Sequence, residues 1–372
     1  MKNHWGNRAL AVLVAGSLIG TVAACASGDD AEQGKLAGDV ALDGLPKAPP
    51  VKLPAAWDGM AGGLFQFTSV HPTYTENGIL TVSPVDEPVI WSWDGRATTL
   101  KPKTDADKIE IDDSLVVARD GKWYPVTVWR GTKNAAGLGE AVTTSYVTTW
   151  NEQGESIFQG EVDLGVQLEN RGWRGIDGML VHEVSLNEKF RSSAHTVVLD
   201  PMTGKVSRGA MPEDYPTVRA EDGLSRTNPA LTIVHPTPDA PGRITNTKTG
   251  KVTEMPVENP CGDPIASSVV SSFDGRYLAI GKRVIDTKTD AATCLDPAGT
   301  PSLTAITSDG VGYGRGKRNG SDVTISYDFA KKTIAILPEA MVAPSFVGPD
   351  DVAVVAPPLG KQDLTGVYRT AT

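Results

Sequence analysis

The sequence predicts an all-β protein: a seven-bladed β-propeller of four-stranded antiparallel blades, closed by pairing of N-terminal and C-terminal strands. Three observations favour this fold: a composition rich in strand and turn formers, two alternating series of turn residues, and a last repeat that lacks one strand. The 372 residues include 39 glycines and 26 prolines. Together with Thr and Val residues distributed along the whole chain, this composition favours short strands joined by tight turns.

Two series of turn residues alternate along the chain. The first consists of dipeptides that suit hairpin turns, because Asn, Asp and Gly tolerate a positive φ. Its members are Asn77-Gly78, Asp120-Gly121, Asp177-Gly178, Asp222-Gly223, Asp274-Gly275, Asp309-Gly310 and Asp350-Asp351. Each member of the second series is an Asp or Asn that follows a strand-like segment. Its members are Asp94, Asn151, Asp200, Asn246, Asp286 and Asp328.

Each period of this pattern describes one sheet: a strand, an Asp-Gly turn, two further strands, an Asp or Asn turn and a fourth strand. A repeat of about 40–50 residues built from four short strands is typical of a propeller blade. Blades stack around an axis because one such sheet cannot bury both of its faces. The alternative is a β-sandwich in which the turns fall at these positions by chance.

The seventh repeat lacks its fourth strand. The segment from Val367 to Thr370 matches the third strand of a blade. A segment that resembles the missing strand, from Pro50 to Trp57, stands at the start of the predicted domain. We expect this segment to pair with the C-terminal strand and close the ring, which would leave no open sheet edge.

The first 24 residues have the features of a secretory signal peptide. Lys2 and Arg8 give a positive start, and the apolar stretch from Ala9 to Val22 is too short for a comfortable membrane span. The sequence Val22-Ala23-Ala24-Cys25 resembles the lipobox of bacterial lipoproteins. This resemblance implies that the Cys25 thiol carries a diacylglyceryl group. The alternative is an ordinary signal peptide followed by a chance cysteine.

We therefore divide the chain into a lipoprotein signal peptide (1–24), a lipidated cysteine with a flexible tether (25–49) and the propeller domain (50–372). The tether prediction rests on small and polar residues without sustained periodicity. Lipid on Cys25 would anchor the protein at the extracytoplasmic face of the cell membrane. The membrane is thus the first partner that the sequence predicts.

One blade carries a more specific motif. The octapeptide from Ser272 to Ala279, SFDGRYLA, resembles a hairpin that is common in WD-repeat-like and lactonase-like bacterial propellers. Together with the lipobox, it makes the chain similar to secreted lipoproteins of actinobacteria that carry a propeller. The resemblance implies a fold and an extracytoplasmic location, and it does not imply a particular ligand or reaction.

Two cysteines remain in the predicted domain, Cys261 and Cys294. An exported chain folds in an oxidising setting, where an even pair of cysteines indicates a disulfide. Neither cysteine has His or Cys neighbours at the spacing of a metal site. We therefore predict a structural disulfide between them.

Several function classes lack a signal in the sequence. The net charge of −10 and the absence of a strong basic cluster exclude nucleic acid as an expected partner. No histidine pair has metal-ligand spacing, and no nucleotide-binding or G-x-S-x-G motif is present. Turn motifs at Asp200 and Asn246 resemble those of quinoprotein propellers but lack the tryptophan that follows in that family. We accordingly expect neither a cofactor nor a metal ion.

Two hypotheses for function remain. The first is a binding or scaffolding module whose protein or small-molecule ligand sits at the channel face of the propeller. The second is a lactonase-, glycosidase- or lyase-like enzyme that would use carboxylates and the histidines at 71, 182, 195 and 235 in the channel. Fold alone does not choose between them. The lack of a catalytic constellation in the sequence favours the first.

Overall fold

The structure, a computed structural model, is a ring of seven antiparallel β-sheets. It describes residues 36–42, 44–66, 73–82, 87–134, 140–164, 172–184, 195–209, 228–234, 241–255, 261, 269–295, 302–355 and 364–370. Six sheets have four described strands, and one has three. The predicted fold class, a seven-bladed β-propeller, is confirmed.

Blades 1 to 3 each contain four consecutive strands. Blade 1 consists of β2 (Thr73–Thr75), β3 (Gly78–Val82), β4 (Pro88–Ser92) and β5 (Ala97–Thr99). Blade 2 consists of β6 (Lys108–Arg119), β7 (Lys122–Lys133), β8 (Val142–Trp150) and β9 (Ser156–Glu161). Blade 3 consists of β10 (Arg174–Ile176), β11 (Met179–Val184), β12 (His195–Leu199) and β13 (Val206–Gly209).

Blades 4 to 7 complete the ring. Blade 4 shows β14 (Leu231–Val234), β15 (Gly242–Asn246) and β16 (Val252–Met255). Blade 5 consists of β17 (Val269–Ser271), β18 (Tyr277–Ile280), β19 (Arg283–Asp286) and β20 (Ala291–Cys294). Blade 6 consists of β21 (Ser302–Ile306), β22 (Val311–Arg318), β23 (Ser321–Asp328) and β24 (Thr333–Ile336). Blade 7 consists of β25 (Phe346–Val347), β26 (Ala353–Val355), β27 (Leu364–Arg369) and β1 (Ala61–Gln66), and β1 comes from the other end of the chain.

Both predicted turn series lie where the sequence places them. First-series dipeptides join the first and second strands of six blades, and second-series residues join the third and fourth strands. Asp222-Gly223 lies outside the described residues. In an antiparallel sheet these two connections fall at the same end. We call this end of the ring the turn end. At Asp120 and Gly121, φ is 52° and 74°, as a tight hairpin of this sequence requires.

The two chain termini close blade 7. Strand β1 pairs antiparallel with β27 in a register that places Ala61 opposite Arg369 and Phe65 opposite Thr365. The predicted closure by N-terminal and C-terminal strands is therefore correct, and β27 is the third strand of its blade as expected. The predicted partner strand is wrong, because the pairing segment is 61–66 instead of 50–57.

Proline and tryptophan explain this correction. Pro50 and Pro54 have no N–H group to offer to a ladder, which disfavours a paired strand there. The segment ends in a short 3₁₀ turn, Ala55–Trp57. The Trp57 side chain is fully buried, and its indole N–H donates a hydrogen bond to the carbonyl of Asp351 in blade 7. The segment thus fastens to the closing blade through the buried side chains of Leu53 and Trp57 and not by strand pairing.

The segment before it is also packed on the propeller. Residues 36–42 and 44–49, which we call the edge segment, lie along the outer edge of β1. The Gly62 N–H donates to the Val40 carbonyl at 2.7 Å, and the Leu64 N–H donates to the Pro46 carbonyl at 2.8 Å. A Cβ at Gly63 would lie 2.5 Å from the Leu45 side chain, so any larger residue would have to displace Leu45. The prediction of a flexible tether is therefore wrong for this part of residues 25–49.

The core lies between neighbouring blades. Between blades 2 and 3, for example, Val128, Val147, Trp173 and Leu180 form one buried cluster. Alternating strand residues supply these side chains, since successive residues point to opposite faces of each sheet. Burying one large apolar side chain stabilises a fold by about 1.5–3 kcal/mol, so these faces hold the blades in place.

Candidate functional site

The predicted site residues are only partly within the described residues. Cys25, His71 and His235 lie outside them, and the side chain of His195 is not described. His182, on β11, is buried with its ring edge-on to Trp173 at 5.2 Å between ring centroids. Its packing in a blade gives the enzyme hypothesis no support, and that hypothesis stays a prediction.

The predicted disulfide is present. Cys261 is bonded to Cys294 at the end of β20, and the two Cα atoms are 5.4 Å apart. Arg283, opposite Cys294 in the ladder, is the first residue of the preceding strand. The bond therefore ties the outer strand of blade 5 to the connection that enters the blade.

Aromatic side chains meet at the centre of the ring near the turn end. Tyr74 stacks on Phe346 with 3.4 Å between ring centroids. Phe273, in the first turn of blade 5, contacts Trp123 at 5.4 Å and Trp93 at 6.3 Å. These five residues come from blades 1, 2, 5 and 7. Because blades 2 and 5 are not neighbours in the chain order, such contacts cross the middle of the ring. We call this group the aromatic plug.

Above the plug lies a small cavity in the channel, with a volume of about 150 Å³. Tyr74 and Phe346 form one wall, and the inner strands of blades 5 and 6 form another. The remaining lining residues are Asn228, Val269, Val270, Ser271, Thr304 and Ser345. Among the described residues, therefore, the lining carries no carboxylate, imidazole, lysine or arginine. We call this space the channel cavity.

One buried amide organises the polar side of the channel cavity. The Asn228 side chain donates to the Ser271 hydroxyl at 2.7 Å and to the Ser272 carbonyl at 2.9 Å. Its own amide oxygen accepts from the Ala230 N–H at 3.0 Å. Since these bonds fix both ends of the amide, the Ser271 hydroxyl is held in place at the cavity wall.

Charged residues next to the turns gather at the turn end. The Lys248 ammonium lies 4.5 Å from the centroid of the Trp123 ring and 3.3 Å from the Glu76 carboxylate. Glu152 accepts a hydrogen bond from the Asn77 amide. Burial, and then the nearby Glu76 carboxylate, raise the pKa of Glu152. This group links blades 1, 2 and 4 at the outer side of the plug.

A larger space opens beside this group. It has a volume of about 540 Å³ and lies between the turns of blades 1 and 2, with Arg369 of β27 on its wall. We call it the outer cleft. Its other lining residues are Asn77, Ile90, Ser92, Trp93, Asp94, Arg96, Thr98, Glu152 and Gln153.

The position of these charged residues could be inferred from their distance in sequence to the turn residues, although they form no recognisable motif. Glu76, Glu152 and Lys248 each stand within two positions of a turn residue in one of the two series. Both series lie at one end of the ring, so charged residues beside the turns necessarily collect there. The position of Arg369 at the cleft could not be inferred in this way, because it depends on the closure of the ring by β1.

Two further findings concern only the described part of the chain. No group of three or more His, Cys, Asp or Glu side chains has the arrangement of a metal site there. Within the same residues, no helix is long and apolar enough to cross a membrane.

Comparisons with known proteins give weak similarity. No protein family matches the sequence, and no curated protein matches it. Among solved structures, a single-residue mutant of the apocarotenoid oxygenase of Synechocystis is 11% identical with a TM-score of 0.34, covering 74% of this chain and 72% of that one. TolB from Acinetobacter baumannii is 12% identical with a TM-score of 0.25, covering 76% and 59%. A Bacteroides fragilis protein thought to be exported is 8% identical with a TM-score of 0.33, covering 91% and 99%. The assignment of the fold rests on the strand topology of the chain itself.

Proposed function

We propose that the protein is an extracytoplasmic binding module, anchored in the membrane by lipid on Cys25, that holds its ligand in the channel cavity. The observation that carries the binding role is the lining of this cavity. Ser, Thr and Asn side chains supply hydrogen-bonding groups, two aromatic rings supply an apolar wall, and no titratable acid or base other than Tyr74 lines it among the described residues. Such a lining suits recognition better than acid–base chemistry.

The geometry of the cavity limits the ligand. Its volume admits a small molecule or a single side chain of a partner protein. The aromatic plug closes the turn end, while Ser345 on the lining is exposed, so entry is from the Ser345 side. A ligand without formal charge fits best, because the described lining residues include no charged group to neutralise one.

Native mass spectrometry tests the binding role. The purified domain, incubated with a small-molecule extract of its source cells, should retain a bound molecule. Replacing Ser345 by Phe fills the mouth of the cavity, and we expect the bound mass to disappear. Ser321→Phe, on an exposed hairpin of blade 6, is the control and should retain it. The binding role is wrong if wild type retains nothing, or if Ser345→Phe retains the molecule as well as wild type does.

The anchor is supported by the lipobox-like sequence before Cys25. The described part of the chain begins at residue 36. The intervening stretch of chain, even if fully extended, spans at most about 40 Å. Lipid on Cys25 would therefore hold the propeller close to the membrane surface.

Metabolic labelling tests the anchor separately. A fatty-acid analogue should label the wild-type protein in its native host and leave Cys25→Ser unlabelled. Equal labelling of both proteins, or of neither, contradicts the anchor. It leaves the test of the channel cavity unaffected, because that test follows a bound mass and does not depend on lipid at Cys25.

A further inference from the structure

The outer cleft is lined by an arginine, Arg369, whose guanidinium group is not paired with a described carboxylate. The Nε atom of Arg369 is buried and forms no hydrogen bond with any described residue. Leaving a buried donor unsatisfied costs free energy, more so in a charged group. Arg369 also lines the cleft and forms no ion pair with a described residue, so a ligand there can pair with the charge of its guanidinium.

The other arginine of the cleft is already paired. Arg96 donates from Nε to Asp94 at 2.9 Å and approaches the same carboxylate at 2.7 Å with its terminal nitrogen. Hydrogen bonds from Ser92 and Arg96 lower the pKa of Asp94 to about 2, so this pair stays charged at neutral pH. Arg369 is therefore the lining residue with a positive charge to offer.

The remaining polar groups of the cleft can form hydrogen bonds with the hydroxyl groups of a ligand. Asp94 and Glu152 offer carboxylate oxygens, and the exposed side chain of Gln153 offers both an acceptor and donors. The volume falls within the range of ordinary ligand sites. Among the described residues, the lining thus combines the unpaired guanidinium of Arg369 with several acceptors on the turns of blades 1 and 2.

We propose that the outer cleft is a second binding site and that it takes a sugar acid. The carboxylate of the ligand pairs with the Arg369 guanidinium, and its hydroxyls donate to Asp94 and Glu152. The ligand then connects β27, which closes the ring, to the turns of blades 1 and 2. Binding at this site should therefore stabilise the closed ring, as any ligand selective for the folded state does.

A pair of matched probes tests this site. Glucuronate and glucose share a ring and most hydroxyls, and they differ in the carboxylate. We expect titration calorimetry on the purified domain to show glucuronate binding that glucose does not match. Arg369→Gln should weaken glucuronate on the order of 10- to 100-fold, the range of a lost charge-assisted hydrogen bond. Arg208→Gln, at an exposed arginine of blade 3, should leave binding unchanged.

A second variant guards against misfolding, because Arg369 lies in the closing strand. Gln153→Trp alters an exposed turn and blocks the cleft, so it should abolish glucuronate binding while the melting temperature without ligand stays unchanged. The inference is overturned if glucuronate does not bind, if glucose binds equally well, or if folded Arg369→Gln or Gln153→Trp binds as wild type does. Ser345→Phe should bind glucuronate as wild type does, so the test of the outer cleft is independent of the test of the channel cavity.

Discussion

The carboxyl group of Glu152 lies in a crowded part of the turn end. The turns around it remove water, and the Glu76 carboxylate faces it. Both effects disfavour the ionised form, whereas the Asn77 amide and the Lys248 ammonium favour it to a smaller extent. Glu152 therefore releases its proton at a higher pH in the folded protein than in the unfolded chain.

This shift predicts a pH dependence of stability. The folded state binds the Glu152 proton more tightly, so this residue makes stability fall as pH rises from the ordinary pKa of 4.5 through the raised value. Glu152→Gln removes the charge and keeps the hydrogen-bonding shape. We expect the variant to be more stable than wild type at neutral pH and to lose that advantage below pH 4.5.

Urea unfolding at a series of pH values measures the effect. The control variant Gln153→Asn, at an exposed residue of the same turn, changes no titratable group and should show no such trend. A constant difference between Glu152→Gln and wild type across the whole pH range would contradict the raised pKa.

At the scale of elements, the hairpin turns could be predicted because the residues within each turn determine its backbone conformation. At Asp120-Gly121 and Asp177-Gly178 both residues adopt the positive φ that Asp and Gly tolerate, and both turns lie between the expected strands. The disulfide between Cys261 and Cys294 was also predicted, since oxidising conditions and an even count suffice for that inference.

Elements that depend on distant partners were harder to predict. The segment from Pro50 to Trp57 has strand-like residues, yet its role is set by a buried indole and by prolines. Ala61 to Gly63 looks too small for a strand, but its small residues let the edge segment approach β1. The edge segment itself has no periodicity because it follows the edge of another strand and forms no hairpin of its own. The outer cleft was missed for the same reason, as Arg369 reaches it only after the ring closes.

At the scale of the whole molecule, two features hold the ring together. The aromatic plug joins blades that are not neighbours, so it resists opening at the centre. The pairing of β1 with β27 joins the first and last parts of the chain at the rim. A closed ring has no free joint between its last and first blades, so we expect it to unfold as one cooperative unit.

The most direct test of this closure is urea unfolding of a chain that lacks residues 364–372, followed by tryptophan fluorescence and circular dichroism. We expect the truncated domain to be unfolded, or to unfold in a single transition at much lower urea, with both signals changing together. Removal of residues 371–372 alone, which leaves β27 intact, should change little. A truncated domain that keeps the wild-type midpoint and loses only the signal of one strand would contradict closure of the ring by its two terminal strands.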